Sequence, residues 1–229
     1  MNKFWGVDAD PTAQGRIKGA RPVAVLDIGS NSVRLVVYER HARALTPLYN
    51  EKSACALGRG VGQTGRLADA NMAQALNAIK RFALVSRMMR VGKVFILATS
   101  AVRDAANREA FVDAVEGLMG SPVQVLSGEQ EAHYAALGAV AGILDFSGMV
   151  GDLGGGSLEL SKILNGSDTD GQSFELGVIR LQDDSNGSPS KAAAIVRERL
   201  KDSVLTTAAE GSSFAAIGGT WRALAKLHQ

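Results

Sequence analysis

One short pattern occurs twice in this chain, and the repeat constrains its fold more than any other feature. Asp27-Ile28-Gly29-Ser30-Asn31-Ser32-Val33-Arg34-Leu35 and Asp152-Leu153-Gly154-Gly155-Gly156-Ser157-Leu158-Glu159-Leu160 both read D-x-G-x-x-S-x-x-L. Each copy closes one apolar run (Val23 to Leu26; Met149 and Val150) and opens another (Leu35 to Tyr38; Leu158 to Leu164). That order predicts a strand, a tight glycine turn and a second strand. Glycine there allows positive φ and close approach, so several backbone N–H groups can converge on an anion. A carboxylate beside such a cradle repels the anion unless a divalent cation lies between them. Two similar half-domains facing each other across a phosphate-binding cleft are therefore expected. A single D-x-G turn would be only a common hairpin; the matched Asp, Gly, Ser and Leu positions carry the argument.

Composition narrows the setting. The 229 residues are 46% hydrophobic and 21% charged, as in ordinary globular proteins with a substantial core. A net charge of +2 is too small to hold nucleic acid or a membrane surface by a global field, so no nucleic-acid or membrane partner is expected. The single Cys55 excludes an internal disulfide and a cysteine metal cluster, which fits a reducing cytoplasm. Residues 1–21 lack the apolar core of a signal peptide and read as a leader. Ala135 to Leu144, the longest apolar stretch, is too short to cross a bilayer.

Further along, a strand is expected around Leu45 to Tyr49 and a loop over Leu57 to Gly65. Met72, Leu76, Ile79, Ala83 and Val85 fall at near-helical spacing and predict a long helix over Asp69 to Met89. Lys93 to Ala98 reads as a buried strand, Asn107 to Met119 as a helix and Val123 to Leu126 as a strand. Ser127 with Gln130 makes a capping box for a helix reaching about Ile143. After the second hairpin come a strand near Phe174 to Leu176, a loop over Asp183 to Ser190, a helix over Lys191 to Leu205 and a strand over Phe214 to Ile217. Gly218-Gly219-Thr220 opens a last helix. The alternation predicts a layered α/β fold. It divides into a first half over 22–126 and a second over 127–229, the latter expected to be incomplete because the chain stops at Gln229.

Several side chains are placed for chemistry. Arg103, in Thr99 to Asp104 after the Lys93 to Ala98 strand, lies where ligands gather in α/β sheets and offers a fork of donors suited to phosphate; the alternative is an arginine merely paired with Asp104. Glu129 and Glu131 begin the Ser127-capped helix, either as dipole-favoured helix starters or with one of them as a general base. Asp152 and Glu159 bracket the second turn with hard oxygens that suit Mg²⁺, unless Glu159 only faces solvent. His41, His133 and His228 show no metal-ligand spacing.

The segments VLDIGSNSVRLVVYE, ATSAVRDAANREAF, VLSGEQEAHYAALG, VGDLGGGSLEL and AIGGTWRALAKL, in this order, resemble the exopolyphosphatase and guanosine pentaphosphate phosphatase family over Val23 to Leu227. The resemblance implies the duplicated actin-like domain, related to ribonuclease H, sugar kinases and Hsp70-type ATPases. It also implies Mg²⁺-dependent hydrolysis of the terminal phosphoanhydride of polyphosphate or guanosine pentaphosphate, within the stringent response for the latter, and a homodimer. By it Glu131 is the base and Arg103 the phosphate-binding arginine. Gly29, Ser30, Asn31 and Ser32, with Gly154, Gly155, Gly156 and Ser157, form the phosphate loops. Asp152, Glu159 and Asp27 sit on the metal side.

Three departures from the family pattern stand out. His133 occupies the usual arginine position, Leu158 replaces a threonine, and the chain ends soon after the GGT turn. Two other functions remain open at this point: an ATP-dependent small-molecule kinase of the same superfamily, and a polyphosphate- or alarmone-binding fragment without turnover.

Overall fold

A computed structural model describes residues 21–42, 45–203, 205–206 and 212–228. Apart from Arg21, the leader lies outside the described residues. The first sheet is built from β1 (Val23–Ile28), β2 (Ser32–Tyr38), β3 (Pro47–Ala54), β4 (Lys93–Ala98) and β5 (Val123–Val125). Its order is β3-β2-β1-β4-β5, with β1, β2 and β3 antiparallel and β4 and β5 parallel to β1. The second sheet comprises β6 (Gly148–Leu153), β7 (Leu158–Leu164), β8 (Ser167–Phe174) and β9 (Phe214–Ile217). Its order, β8-β7-β6-β9, again places an antiparallel meander beside a strand that returns parallel to the first. The sequence repeat is thus a repeat of topology.

The inward face of the first sheet explains its strand spacing. Ala24, Leu26 and Ile28 alternate with side chains on the opposite face and pack, with Val33, Leu35, Val37 and Ile96, against α2 (Asp69–Met88) and α4 (Arg108–Met119). Phe82 from α2 and Phe111 from α4 fill this core. In the second sheet, Val150 and Ile163 pack on Ala136 and Ala139 of α5 (Gly128–Gly142). The capping box forms as expected: Ser127 Oγ accepts from the Gln130 amide at 3.2 Å, and Gln130 Oε1 accepts from the Ser127 amide at 2.9 Å.

Several elements differ from the sequence expectation. A one-turn helix, α1 (Val61–Thr64), interrupts the loop expected over Leu57 to Gly65, and α3 (Ser100–Arg103) follows β4 directly. β3 runs on through polar Asn50 to Ser53 because β2 supplies a paired edge for it. β8 lies ahead of the expected strand, over a polar, glycine-containing segment whose pairing comes from β7. The helix α6 (Val178–Ser185) runs into the loop expected over Asp183 to Ser190, so that stretch is not all loop. α7 (Pro189–Leu200) begins at a serine cap and ends before Leu205, which packs with Met149 and Leu160. α8 (Gly219–His228) is the helix opened by the GGT turn.

Phe82 is wholly buried, so Phe82→Ala leaves a cavity in the first core. Chemical denaturation should show a loss of about 3–5 kcal/mol; a loss below about 1 kcal/mol would mean that this core collapses around the gap.

Candidate active site

The two glycine turns have the same internal closure. Gly29 donates its amide to the Ser32 carbonyl and Gly154 donates to the Ser157 carbonyl, each at 3.0 Å. Each turn is held from behind by its carbonyls. The Gly58 amide bonds the Ser30 carbonyl at 2.7 Å, and the Cys55 and Ala56 amides bond the Asn31 carbonyl at 3.0 and 2.9 Å. Behind the second turn, α6 donates from Val178 to the Gly154 carbonyl at 3.1 Å and from Ile179 to the Gly155 carbonyl at 2.8 Å. In a trans peptide the C=O and the following N–H point in opposite directions. The amides of Asn31, Gly155 and Gly156 therefore point away from these supports.

The turns also meet each other. A β-carbon on Gly155 would stand 3.0 Å from the Ser30 β-carbon and 3.1 Å from the Asn31 amide nitrogen. One on Gly156 would stand 2.4 Å from Ser100 Oγ and 2.7 Å from Ser30 Oγ. Ser30 and Ser100 are both buried and share a hydrogen bond of 2.8 Å, which ties the first turn to the start of α3. The two turns and the α3 segment thus form one wall, with Ser157 buried beneath the second turn.

At the end of α3, Arg103 is ion-paired with Glu131 of α5 and donates to the Leu126 carbonyl at 2.9 Å. Glu131 keeps only 12% of its side chain accessible, whereas Glu129 is exposed and serves as a helix-starting residue. Burial raises the Glu131 pKa above the ordinary carboxylate value, and the bond to Arg103 opposes that rise. Arg103 is held more firmly protonated: burial acts against its charge, but its bond to Glu131 and the surrounding carboxylates outweigh that effect.

Asp27 and Asp152 stand near the ends of β1 and β6. Asp27 is exposed to solvent, yet the protein around it displaces enough water to push it up to about 6, with the Asp152 charge adding to the rise. Asp152 is raised by burial. Glu159, opposite Asp152 in the β6–β7 register, is 4% exposed and pushed up to about 7 by burial and the nearby Glu131 charge. Its carboxylate accepts from Ser173 Oγ at 2.8 Å and so is a buried, bonded group, not a solvent-facing one.

The repeat contains a further residue that reading one copy at a time passes over. Arg34 sits opposite Asp27 in the β1–β2 register, the position that Glu159 holds opposite Asp152. Arg34 and Lys52 both lower the Asp27 pKa, and Lys52 Nζ reaches to 4.0 Å from where a β-carbon on Gly219 would lie. Aligning the two copies residue by residue is the signal that finds Arg34. Among the departures, Leu158 points to the opposite face of β7 from Glu159 and packs on Met149 and Leu160. His133 is exposed on α5.

Asp27, Asp152 and Glu159 supply hard carboxylate oxygens, and loss of water raises the pKa of each. Among the described residues no three such groups converge as a closed metal cage. The donor set fits an ion such as Mg²⁺, which takes few protein carboxylates and completes its shell with water and phosphate oxygens.

Duplicated topology, apposed glycine turns and an acidic cleft with an arginine at its side define an α/β protein of the actin-like class. The family model described as the Ppx/GppA phosphatase family matches residues 36–228. Exopolyphosphatase 2 of Mycobacterium tuberculosis is 32% identical over 228 residues, covering 90% of this chain and 70% of the relative. The crystal structure of the Aquifex aeolicus Ppx/GppA family member superposes with a TM-score of 0.71 at 28% identity, covering 91% of this chain and 69% of that one. An exopolyphosphatase structure from Cytophaga hutchinsonii gives 0.76 at 25% identity, covering 90% and 70%. The chain belongs to the Ppx/GppA phosphatase family.

Glu159 yields a sign-definite expectation. Between about pH 4.5 and 7 the folded protein retains a proton at Glu159 that the unfolded chain has lost. The stability linked to this group is complete below that window and is lost as pH rises through it. Glu159→Gln should raise the unfolding free energy at pH 8 by about 2–3 kcal/mol and leave it unchanged near pH 4.5. Equal stability of the two proteins at pH 8 would show that the buried carboxylate is compensated.

Proposed function

We propose that this protein is a Mg²⁺-dependent phosphoanhydride hydrolase that removes the terminal phosphate of inorganic polyphosphate. The observation that carries the reading is the contact of Gly155 with Ser30 and Asn31, beside the Arg103–Glu131 pair. On this reading backbone amides, a guanidinium and a buried carboxylate act on one phosphoryl group. Relatives named exopolyphosphatase favour polyphosphate over guanosine pentaphosphate as the substrate. Residues 22–126 and 127–229 are taken as the two halves of the machine. The lone, buried Cys55 and the lack of any membrane-length apolar helix among the described residues accord with a cytoplasmic setting.

In this reading the terminal phosphoryl oxygens accept from the amides of Asn31, Gly155 and Gly156, with Gly29, Gly154, Ser32 and Ser157 shaping the turns. A phosphate oxygen replaces Glu131 as the partner of Arg103, which frees Glu131 to act as base. Glu131 takes a proton from a water as that water's oxygen bonds to phosphorus and the bridging P–O bond breaks, giving orthophosphate and a chain one unit shorter. Asp152, Asp27 and Glu159 would hold Mg²⁺, which when bound neutralises phosphate oxygens as charge moves to the leaving group. Positioning and electrostatics dominate such transfers, and a base adds a factor of about 10²–10⁴.

Phosphate release from polyphosphate, measured beside calorimetric binding, tests the assignment. Glu131→Gln should lower kcat by about 10²–10⁴ while binding is retained, and chelation of Mg²⁺ should abolish release until the ion is restored. A Glu131→Gln protein working at the parent rate would remove Glu131 as the base. Faster release from guanosine pentaphosphate than from polyphosphate would reassign the substrate.

A further inference from the structure

We propose that Arg180 and Asp104 form a positioning pair for this reaction, aligning Arg103 with the second glycine turn. The inference rests on the reading of Arg103 as the phosphate-binding arginine. Asp104 caps α3 in the half of the chain that carries the first sheet, and Arg180 belongs to α6 in the half that carries the second. The Arg180 side chain is 11% accessible and ion-paired with Asp104, and its Nη1 also lies 3.1 Å from Glu175 Oε2. The other Asp104 oxygen lies 3.4 Å from Arg103 Nε. One carboxylate thus bridges two guanidiniums that would repel each other without it.

The main chain completes the link. The Arg180 amide donates to the Gly155 carbonyl at 3.2 Å, beside the stronger bond from Ile179 at 2.8 Å. Gly177, at the start of α6, lies so close that a β-carbon there would stand 2.2 Å from the Gly156 nitrogen. The helix therefore packs directly on the turn. A single residue is joined through its backbone to one phosphate loop and through its side chain to the segment carrying Arg103.

The geometry at Arg103 shows what the pair does. Asp104 stands 3.4 Å from the Nε edge of the guanidinium, while Glu131 and the Leu126 carbonyl occupy Nη1. A planar fork anchored at Nε can exchange Glu131 for a phosphate oxygen at its outer edge without losing its aim. Unanchored, it swings with Glu131 and leaves the shared volume between the turns.

Steady-state phosphate release from inorganic polyphosphate with Mg²⁺ tests the pair. Asp104→Asn and Arg180→Gln should each lower kcat about tenfold with KM within about threefold, because the interaction matters most as the phosphoryl group reacts. The double variant should also lose only about tenfold, since the two residues act as a unit. Arg180→Lys, which keeps the charge and guards against a variant that fails to fold, should recover most of kcat. Parent rates in both single variants, a double variant about a hundredfold down, or no recovery in Arg180→Lys would each overturn the proposal. Arg103→Ala separates the two levels: its working at the parent rate would sink the phosphate role of Arg103. A dead Arg103→Ala beside unaffected Asp104→Asn and Arg180→Gln would sink only the positioning role.

Discussion

The structure depends on three residues having no β-carbon. Gly155 and Gly156 let the second turn touch Ser30, Asn31 and Ser100, and Gly177 lets α6 lie flat on the Gly155–Gly156 peptide. Three layers from distant parts of the sequence are thereby stacked at van der Waals distance. Any side chain in that stack would push the turns apart and separate the amides of one half from those of the other. Support from behind, by Gly58 on one side and α6 on the other, fixes which way each peptide faces.

Around this stack the two halves have diverged in charge while keeping their geometry. The residue opposite the turn aspartate is Arg34 in the first half and Glu159 in the second. In the first half Arg34 and Lys52 offset part of the rise in the aspartate's pKa, while in the second a further carboxylate, Glu159, sits opposite Asp152. Together with Glu131 this leaves an excess of carboxylates in a partly dehydrated cleft, and Arg103 answers only one of them directly. Such a site favours a cation and a polyanion together more than either alone.

Parts of this arrangement were legible in the sequence because they are local. The hairpins, the long helix from Asp69, the Ser127–Gln130 box and the strand before Thr99 follow from spacing and turn chemistry. α6 was not legible because it is only eight residues long and its last three, Asp183 to Ser185, fall in the polar stretch that reads as loop. β8 was displaced from its expected place because its polar residues pair with β7 and have no alternation of their own. Glu159 read equally well as a solvent-facing strand residue until its 4% exposure placed it inside.

The sequence by itself determined the duplicated hairpin, the glycines its turns require and the identity of the acidic and basic groups near them. Those features act over a few residues, where φ, capping and strand alternation are decided. Only the tertiary structure decided that the two turns face each other, that Glu131 and not Glu129 meets Arg103, and that Asp104 and Arg180 join across the halves. The two ion pairs alone join residues 28 and 76 positions apart, and the facing turns lie further apart still in the chain. Their existence follows from how two packed sheets are set against each other, which no local spacing encodes.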